Sequence, residues 1–140
     1  AQGVMESHVT QEKLEKTILI SSAGVSAWHV GEPPDDRMQD TAQKHGVSLD
    51  SRAQHFQTTD YQKLDLVLAM DHSNLSTLKA LKPTSENQDK LFLFRSFDPK
   101  NNGNMEVPDP YYGGDQGFEL VYEMVARTCP KILEYLKTKL

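Results

Sequence analysis

An aspartate between two prolines is the clearest candidate for acid–base chemistry in this sequence. Asp109 lies in the segment Val-Pro-Asp-Pro-Tyr-Tyr, within a long stretch that is rich in proline and glycine. A carboxyl group held over a cavity by a stiff backbone can protonate a leaving group, as a general acid does. Aspartate and proline are also common in ordinary turns, and the residues alone favour that structural interpretation.

Three aromatic residues in loops could hold a flat substrate. Tyr111 and Tyr112 follow Asp109 closely, and Trp28, the single tryptophan, follows the first apolar run of the chain. Loops positioned by a rigid scaffold often carry binding residues, so these rings could form the walls of a site. The alternative is structural, with one tyrosine packed on the core, the other exposed, and Trp28 acting as a packing lid.

Two polar residues follow apolar runs directly. Asp71 can cap a helix with its carboxylate, orient a neighbouring loop, or act as a phosphoacceptor of the receiver type. The receiver alternative is disfavoured because the acidic pair that it requires after the first strand is absent. Ser22 could orient a loop through its hydroxyl group, or it is an ordinary polar residue at a strand end.

The sequence offers neither a metal site nor an evident nucleophile. His29, His45, His55 and His72 show no metal-ligand spacing with one another or with the single cysteine, Cys129. No phosphate-binding arrangement surrounds that cysteine, so a structural role is expected for it. We therefore expect no metal and no cofactor, and the single cysteine favours a reducing, cytoplasmic location.

Length and charge limit the classes of function. The chain has 140 residues, a length that predicts one domain over residues 1–140. Its net charge is -5. This charge disfavours a nucleic-acid partner, and no apolar run approaches the roughly 18 residues of a membrane span. An anionic substrate would need a local site that overcomes the global charge.

Short apolar runs alternate with helical patterns along the chain. The apolar runs, each typical of a strand buried on both faces, are 17–22, 64–70 and 91–94. The helical patterns cover about 4–9, 35–46, 71–82 and 115–140. Strands separated by helices predict an α/β fold with a parallel sheet, in which ligands bind beyond the carboxyl ends of the strands. Pro130 is expected to kink or interrupt the last helix.

Two features are unusual for such a fold. Only three strands are predicted, and the chain begins with a helix that no strand precedes. Because the first helix of a βαβ fold normally follows a first strand, the pattern predicts that an N-terminal strand is missing from the sequence as given.

In combination the motifs resemble those of the low molecular weight protein tyrosine phosphatases. The matching segments, in order along the chain, are 22–31, 34–38, 66–75, 107–113 and 118–122. The resemblance implies a three-layer, flavodoxin-like parallel sheet of four strands flanked by helices. It also implies hydrolysis of phosphotyrosine proteins or small aryl phosphates, with phosphate or other oxyanions bound in the complete site, by a monomer or weak dimer.

The resemblance also implies roles for individual residues. Asp109 corresponds to the general acid and base of a mechanism that passes through a cysteinyl phosphate. The residues that resemble the walls around the substrate ring are Trp28, Tyr111 and Tyr112, of which the tyrosines also resemble phosphorylation sites. The residues that resemble braces of the catalytic loop are Ser22 and Asp71.

The sequence departs from the family at its start. In the family an interior strand leads into a Cys-x5-Arg loop with the nucleophile and the phosphate-binding arginine, and the 140 residues contain neither strand nor loop. We therefore expect the chain as given to be an incomplete phosphatase-like domain that is inactive alone. Its unpaired strand edges should also oppose independent folding.

Two alternatives remain open, and a third does not fit the cysteine content. The chain could be a truncated relative that has lost catalysis and acts as a protein-interaction module. An arsenate reductase of similar fold would need cysteines that this sequence lacks. Bacterial exopolysaccharide-type phosphatases are a closer alternative, although the Tyr111-Tyr112 pair favours the cytosolic type.

Overall fold

A computed structural model describes residues 1–25, 30–81, 89–110 and 115–140. The helices of these residues are α1 (Gln2–Gln11), α2 (Asp36–Lys44), α3 (His72–Ala80) and α4 (Asp115–Lys137). The strands are β1 (Val67–Ala69) and β2 (Leu91–Leu93), and two short 3-10 turns cover Thr58–Gln62 and Phe94–Phe97. The predicted helices are thus confirmed, and the second and third apolar runs form strands shorter than the runs themselves.

The two strands form a parallel βαβ unit with α3 as the connection. Val67 lies opposite Leu91, and Ala69 lies opposite Leu93. Because side chains alternate between the faces of a strand, Val67 and Ala69 pack in a core cluster that includes Leu78 of α3. The residues that pack instead against the larger cluster on the opposite face are Leu66, Leu68 and Met70. The sheet therefore has a helical layer on each face, as the predicted α/β fold requires.

The larger core is built around the inward face of α4. The buried residues of this face are Phe118, Val121, Tyr122, Val125, Cys129, Ile132 and Leu133. The residues that pack against them from α1 and α2 are Val4, Met5, Val9 and Ala42. These are the faces that helical periodicity predicts, so burial of the apolar stripes holds the three helices together.

Pro130 is predicted to kink or interrupt the last helix, and the predicted interruption is wrong. The helix continues through it to Lys137. Proline removes one backbone hydrogen bond from a helix, but Cys129 and Ile132 on either side are 0% and 2% exposed. The burial of these side chains favours a continuous helix over an interruption.

The predicted first strand at 17–22 is wrong. Within the described residues these six form no strand, and the nearest pairing is an isolated parallel bridge between Gly24 and His55. Ile18 is buried, whereas Leu19 is 88% exposed, so the run is covered on one face only. A strand exists through hydrogen bonds to a neighbour, and the described part of the chain places no neighbouring strand beside this segment.

The ends of the helices follow local sequence signals. Asp35 caps α2 by accepting a hydrogen bond from the Arg37 N–H at 2.8 Å. Gly46, just after α2, has a φ of +77°, a conformation that glycine adopts without strain. The predicted helical pattern at 71–82 precedes Pro83, a residue that cannot continue a helix without losing a hydrogen bond and that lies outside the described residues.

We predict that the inward face of α4 contributes more to stability than its outward face. Leu133→Ala should lower the free energy of unfolding by about 2–5 kcal/mol, because Leu133 is only 2% exposed and its loss leaves a cavity. Leu120→Ala is the matched control on the same helix; Leu120 is 55% exposed, and its change should stay within about 0.5 kcal/mol. Urea unfolding followed by circular dichroism measures both, and equal losses would contradict the assignment of the two faces.

Candidate active site

A cavity of about 270 Å³ lies where β1 ends and where α1, α2 and α4 begin. Its apolar wall consists of Val4, Met38, Ala42, Leu49, Met70, Phe118, Val121, Tyr122 and Val125. The remaining lining residues are Ala1, Pro34, Asp35, Asp109 and Pro110. The position agrees with the rule that α/β folds bind ligands beyond the carboxyl ends of their strands.

Asp109 lies at the rim of this cavity, as an exposed residue between Pro108 and Pro110. Proline fixes one backbone dihedral, so the two flanking residues limit the paths that the backbone can take around Asp109. A carboxyl group that borders both solvent and an apolar cavity can exchange protons with water and with a molecule bound in the cavity. The geometry therefore suits an acid–base group.

The loop that carries Asp109 is attached to the end of β1. The Val107 N–H donates to the Met70 carbonyl oxygen over 2.8 Å, and the Val107 side chain is buried. The His72 N–H, at the start of α3, donates to Glu106 Oε1 over 3.3 Å. The first bond holds the backbone two residues before Asp109, and the second holds the side chain of the residue before Val107.

A buried ion cluster anchors the other end of the same loop. The Asp98 side chain has no solvent exposure and accepts hydrogen bonds from Arg127 Nε at 2.8 Å and from Arg127 Nη2 at 3.0 Å. Asp98 also accepts from Arg95 Nε at 2.9 Å and from the Lys100 N–H at 2.8 Å. The cluster thereby joins the 3-10 turn after β2 to α4.

The pKa of the Asp98 carboxyl is lowered to about 2. Burial alone favours the neutral acid and would raise this pKa, but the hydrogen bonds from Arg127, the Lys100 backbone and Arg95 outweigh it. The hydrogen bond with Asp98 in turn raises the pKa of Arg127. Both partners are therefore charged at neutral pH.

Asp71 caps a helix. Its Oδ1 accepts a hydrogen bond from the Asn74 N–H at 2.7 Å, at the N-terminus of α3. Asp71 is half-buried and directly follows Met70, which lines the cavity. The capping interpretation is confirmed. The position of Asp71 next to the cavity is also compatible with the predicted role of orienting a neighbouring loop.

Ser22 lies beside the first turn of α1. Its Oγ donates to Gln2 Oε1 at 2.6 Å, and its carbonyl oxygen accepts from the Gln54 side chain at 2.7 Å. Because Gln2 follows Ala1, which lines the cavity, the hydroxyl group of Ser22 is tied to the segment that opens into the cavity.

The three aromatic residues predicted as substrate walls lie outside the described residues. Trp28 falls in 26–29, and Tyr111 and Tyr112 fall in 111–114. The rings that line the described cavity are instead Phe118 and Tyr122 of α4. Sequence reasoning placed these two on the apolar stripe of the helix, and periodicity cannot distinguish a residue facing a cavity from one facing a filled core.

Cys129 is not available as a nucleophile. It is fully buried, and desolvation raises the pKa of its thiol to about 11. A thiol in this state is protonated at neutral pH and inaccessible to a substrate. Cys129 therefore does not supply a nucleophile, as the sequence predicts.

The described residues contain no group of three His, Cys, Asp or Glu side chains that could hold a metal ion. The same ranges contain no helix that is long and apolar enough to cross a membrane.

Comparison with known proteins gives a consistent result. The sequence model of the family described as "Low molecular weight phosphotyrosine protein phosphatase" matches residues 1–140. A low molecular weight protein-tyrosine-phosphatase of Streptomyces coelicolor is 41% identical over 126 residues, which are 89% of this chain and 77% of that protein. The low molecular weight phosphotyrosine protein phosphatase of Gallus gallus is 37% identical over 137 residues, covering 96% of this chain and 84% of that protein.

The fold gives the same result. A crystal structure of a protein tyrosine phosphatase from Entamoeba histolytica, with Hepes in its active site, superimposes with a TM-score of 0.91. The two chains are 28% identical, and the superposition covers 99% of this chain and 88% of the other. The flavodoxin-like α/β fold expected from the resemblance is thereby confirmed.

The ion cluster predicts a specific dependence of stability on pH. Because folding lowers the pKa of Asp98 from 3.8 to about 2, its contribution is present above pH 4 and is lost as the pH falls toward 2. Asp98→Asn should therefore remove roughly 2 kcal/mol of the pH-dependent stability between pH 5 and 2. Urea unfolding across this range measures the slope, with the exposed Asp40→Asn as control; a slope unchanged in Asp98→Asn would contradict the assignment.

Proposed function

Because the chain belongs to the low molecular weight phosphotyrosine protein phosphatase family, we propose that it hydrolyses phosphotyrosine in proteins or small aryl phosphates. The observation that carries the proposal is the position of Asp109, on a proline-flanked loop at the rim of the cavity. The apolar wall of that cavity suits an aromatic ring, and the carboxyl group at its rim suits proton transfer to the phenolic oxygen.

The proposed reaction has two steps. In the first, a cysteine thiolate forms a bond to phosphorus while the bond to the phenolic oxygen breaks, and Asp109 gives its proton to that oxygen. In the second, the Asp109 carboxylate takes a proton from water as the water oxygen attacks phosphorus, which releases the thiolate and inorganic phosphate. Backbone amides and an arginine of the Cys-x5-Arg loop hold the phosphate oxygens throughout, and no cofactor takes part.

The thiolate and the arginine of this mechanism are not among the 140 residues. The residue six positions after Cys129 is Tyr135, so no Cys-x5-Arg sequence is present. The N-terminal end of α1 opens into the cavity, where Ala1 and Val4 line it beside Asp109. A helix N-terminus favours an anion, so a phosphate held at this end of α1 would lie next to the proposed acid.

We assign supporting roles to the other predicted residues. Ser22 and Asp71 are proposed to brace the Cys-x5-Arg loop. The hydrogen bond from Ser22 to Gln2 and the position of Asp71 directly after Met70, which lines the cavity, support this proposal. The proposed additional walls around the substrate ring are Trp28, Tyr111 and Tyr112. A cytoplasmic location and a monomeric or weakly dimeric state stay predictions.

The role of Asp109 is tested by replacing its carboxyl group with an amide, which cannot donate the proton. In the full-length gene product, Asp109→Asn should lower kcat/KM for a phosphotyrosine peptide by about 10²–10⁴-fold, because an amide cannot protonate the leaving oxygen. The matched control is Asp40→Asn, an exposed carboxylate of α2 outside the cavity lining, which should leave kcat/KM unchanged. Equal rates in Asp109→Asn and the parent would overturn the assignment.

The need for the Cys-x5-Arg loop gives a second test. A polypeptide consisting of the 140 residues alone should release no phenolate from p-nitrophenyl phosphate above the buffer rate, because it lacks the nucleophile and the anion-binding arginine. A rate that Asp109→Ala abolishes would contradict this expectation. Full-length protein that folds but has no phosphatase activity would favour an interaction module instead.

A further inference from the structure

A buried arginine connects the ion cluster to the loop that carries Asp109. Arg95 Nε donates to Asp98 Oδ2 at 2.9 Å, and Arg95 Nη1 donates to the Glu106 carbonyl oxygen at 2.8 Å. The Arg95 side chain is only 5% exposed. One guanidinium group therefore links both ends of the loop segment from Asp98 to Glu106.

We propose that Arg95 is a positioning residue for Asp109: it holds the Glu106 carbonyl and thereby sets where the Asp109 carboxyl lies at the cavity rim. This inference rests on the proposed function where it concerns catalysis. Arg95 acts through the backbone and does not line the cavity.

The backbone between Glu106 and Asp109 has little freedom to absorb a displacement. The Val107 N–H is bonded to the Met70 carbonyl oxygen, and Pro108 restricts the next residue. The Glu106 carbonyl and the Val107 N–H belong to one planar peptide unit, so a shift of that carbonyl would also displace the Val107 N–H and the residues that follow it. Misplacement of a reacting group by about 1 Å costs on the order of 10²-fold in rate.

The guanidinium group of Arg95 has a geometry that suits this link. Its planar guanidinium group presents several N–H donors in a fixed fork, so it bonds a carboxylate and a carbonyl oxygen in one rotamer. A lysine at this position keeps the positive charge, but its ammonium group is a single point on a flexible stem. Arg95→Lys therefore keeps the positive charge but removes the simultaneous bonds to Asp98 and Glu106.

The hydrogen bond from Arg95 to Glu106 can be removed while the rest of the ion cluster stays paired. When Arg95 is changed, Asp98 keeps both hydrogen bonds from Arg127 and the one from the Lys100 N–H. The carboxylate thus remains paired, and α4 remains joined to the turn after β2. We expect a loosened loop on a folded protein.

The first experiment uses the leaving group as the reporter. Arg95→Lys and Arg95→Gln are made in the full-length gene product, and kcat/KM is measured with phenyl phosphate and with 2,4-dinitrophenyl phosphate. Phenolate needs a proton to leave and dinitrophenolate does not, so a misplaced acid should lower the first value at least tenfold more than the second. A loss of folded protein alone would lower both values equally.

Tyr61→Phe is the matched control. It removes a buried hydrogen bond from the Tyr61 hydroxyl to the Leu78 carbonyl oxygen, 2.9 Å long, in the smaller core cluster on the other face of the sheet. This variant should lose stability without changing the ratio of the two kcat/KM values. A changed ratio in Tyr61→Phe would show that the ratio reports general destabilisation and would overturn the inference.

A double-mutant comparison tests whether Arg95 acts through Asp109. In an Asp109→Asn background, Arg95→Lys should cause no further loss of kcat/KM with phenyl phosphate, because the proton donor is already absent. An additional loss equal to that seen in the parent background would overturn the proposal.

Hydrogen exchange of the Val107 amide tests the link without any activity. Arg95→Lys and Arg95→Gln should raise its exchange rate at least tenfold relative to both the parent and Tyr61→Phe. If the parent has no phosphatase activity, the proposed function fails, while the exchange rate still decides whether Arg95 holds the loop. Unchanged exchange, or raised exchange with an unchanged leaving-group ratio, would overturn the proposal.

Discussion

Both faces of β1 carry apolar side chains, so each face of the sheet must be covered by a layer of helices. Val67 and Ala69 face the cluster that contains Leu78 of α3, whereas Leu68 and Met70 face the larger core under α1, α2 and α4. Because parallel strands need long crossovers, α3 lies on one face and the remaining helices cover the other. Their N-terminal ends then surround the carboxyl end of β1, and the cavity lies at that junction.

The loop that carries Asp109 is held by a buried ion cluster in which the charge of Asp98 is compensated by arginines. A buried carboxylate costs free energy unless it is paired, and Asp98 is paired with two arginines and a backbone N–H. The same cluster reaches Glu106 through Arg95, and the bond from Val107 to Met70 fixes the loop to the sheet. These bonds therefore hold the loop in one position, and with it the carboxyl group of Asp109.

The charges at the cavity indicate what a Cys-x5-Arg loop would have to contribute to phosphate binding. The chain has a net charge of -5, so its overall charge does not favour a phosphate in the cavity. Binding a dianion there requires local positive potential, which a helix N-terminus and an arginine can provide. Cys129, buried and protonated, is no substitute for the nucleophile of such a loop.

Local signals in the sequence determined the helices, their caps at Asp35 and Asp71, and two of the strands, because periodicity and capping depend on neighbouring residues. The ordered motifs also determined the family. Tertiary structure alone decided that the run at 17–22 forms no strand, since a strand needs a partner. It likewise decided that Pro130 is tolerated within α4 and that Arg95 reaches the loop of Asp109, because both depend on contacts between residues that the sequence pattern does not pair.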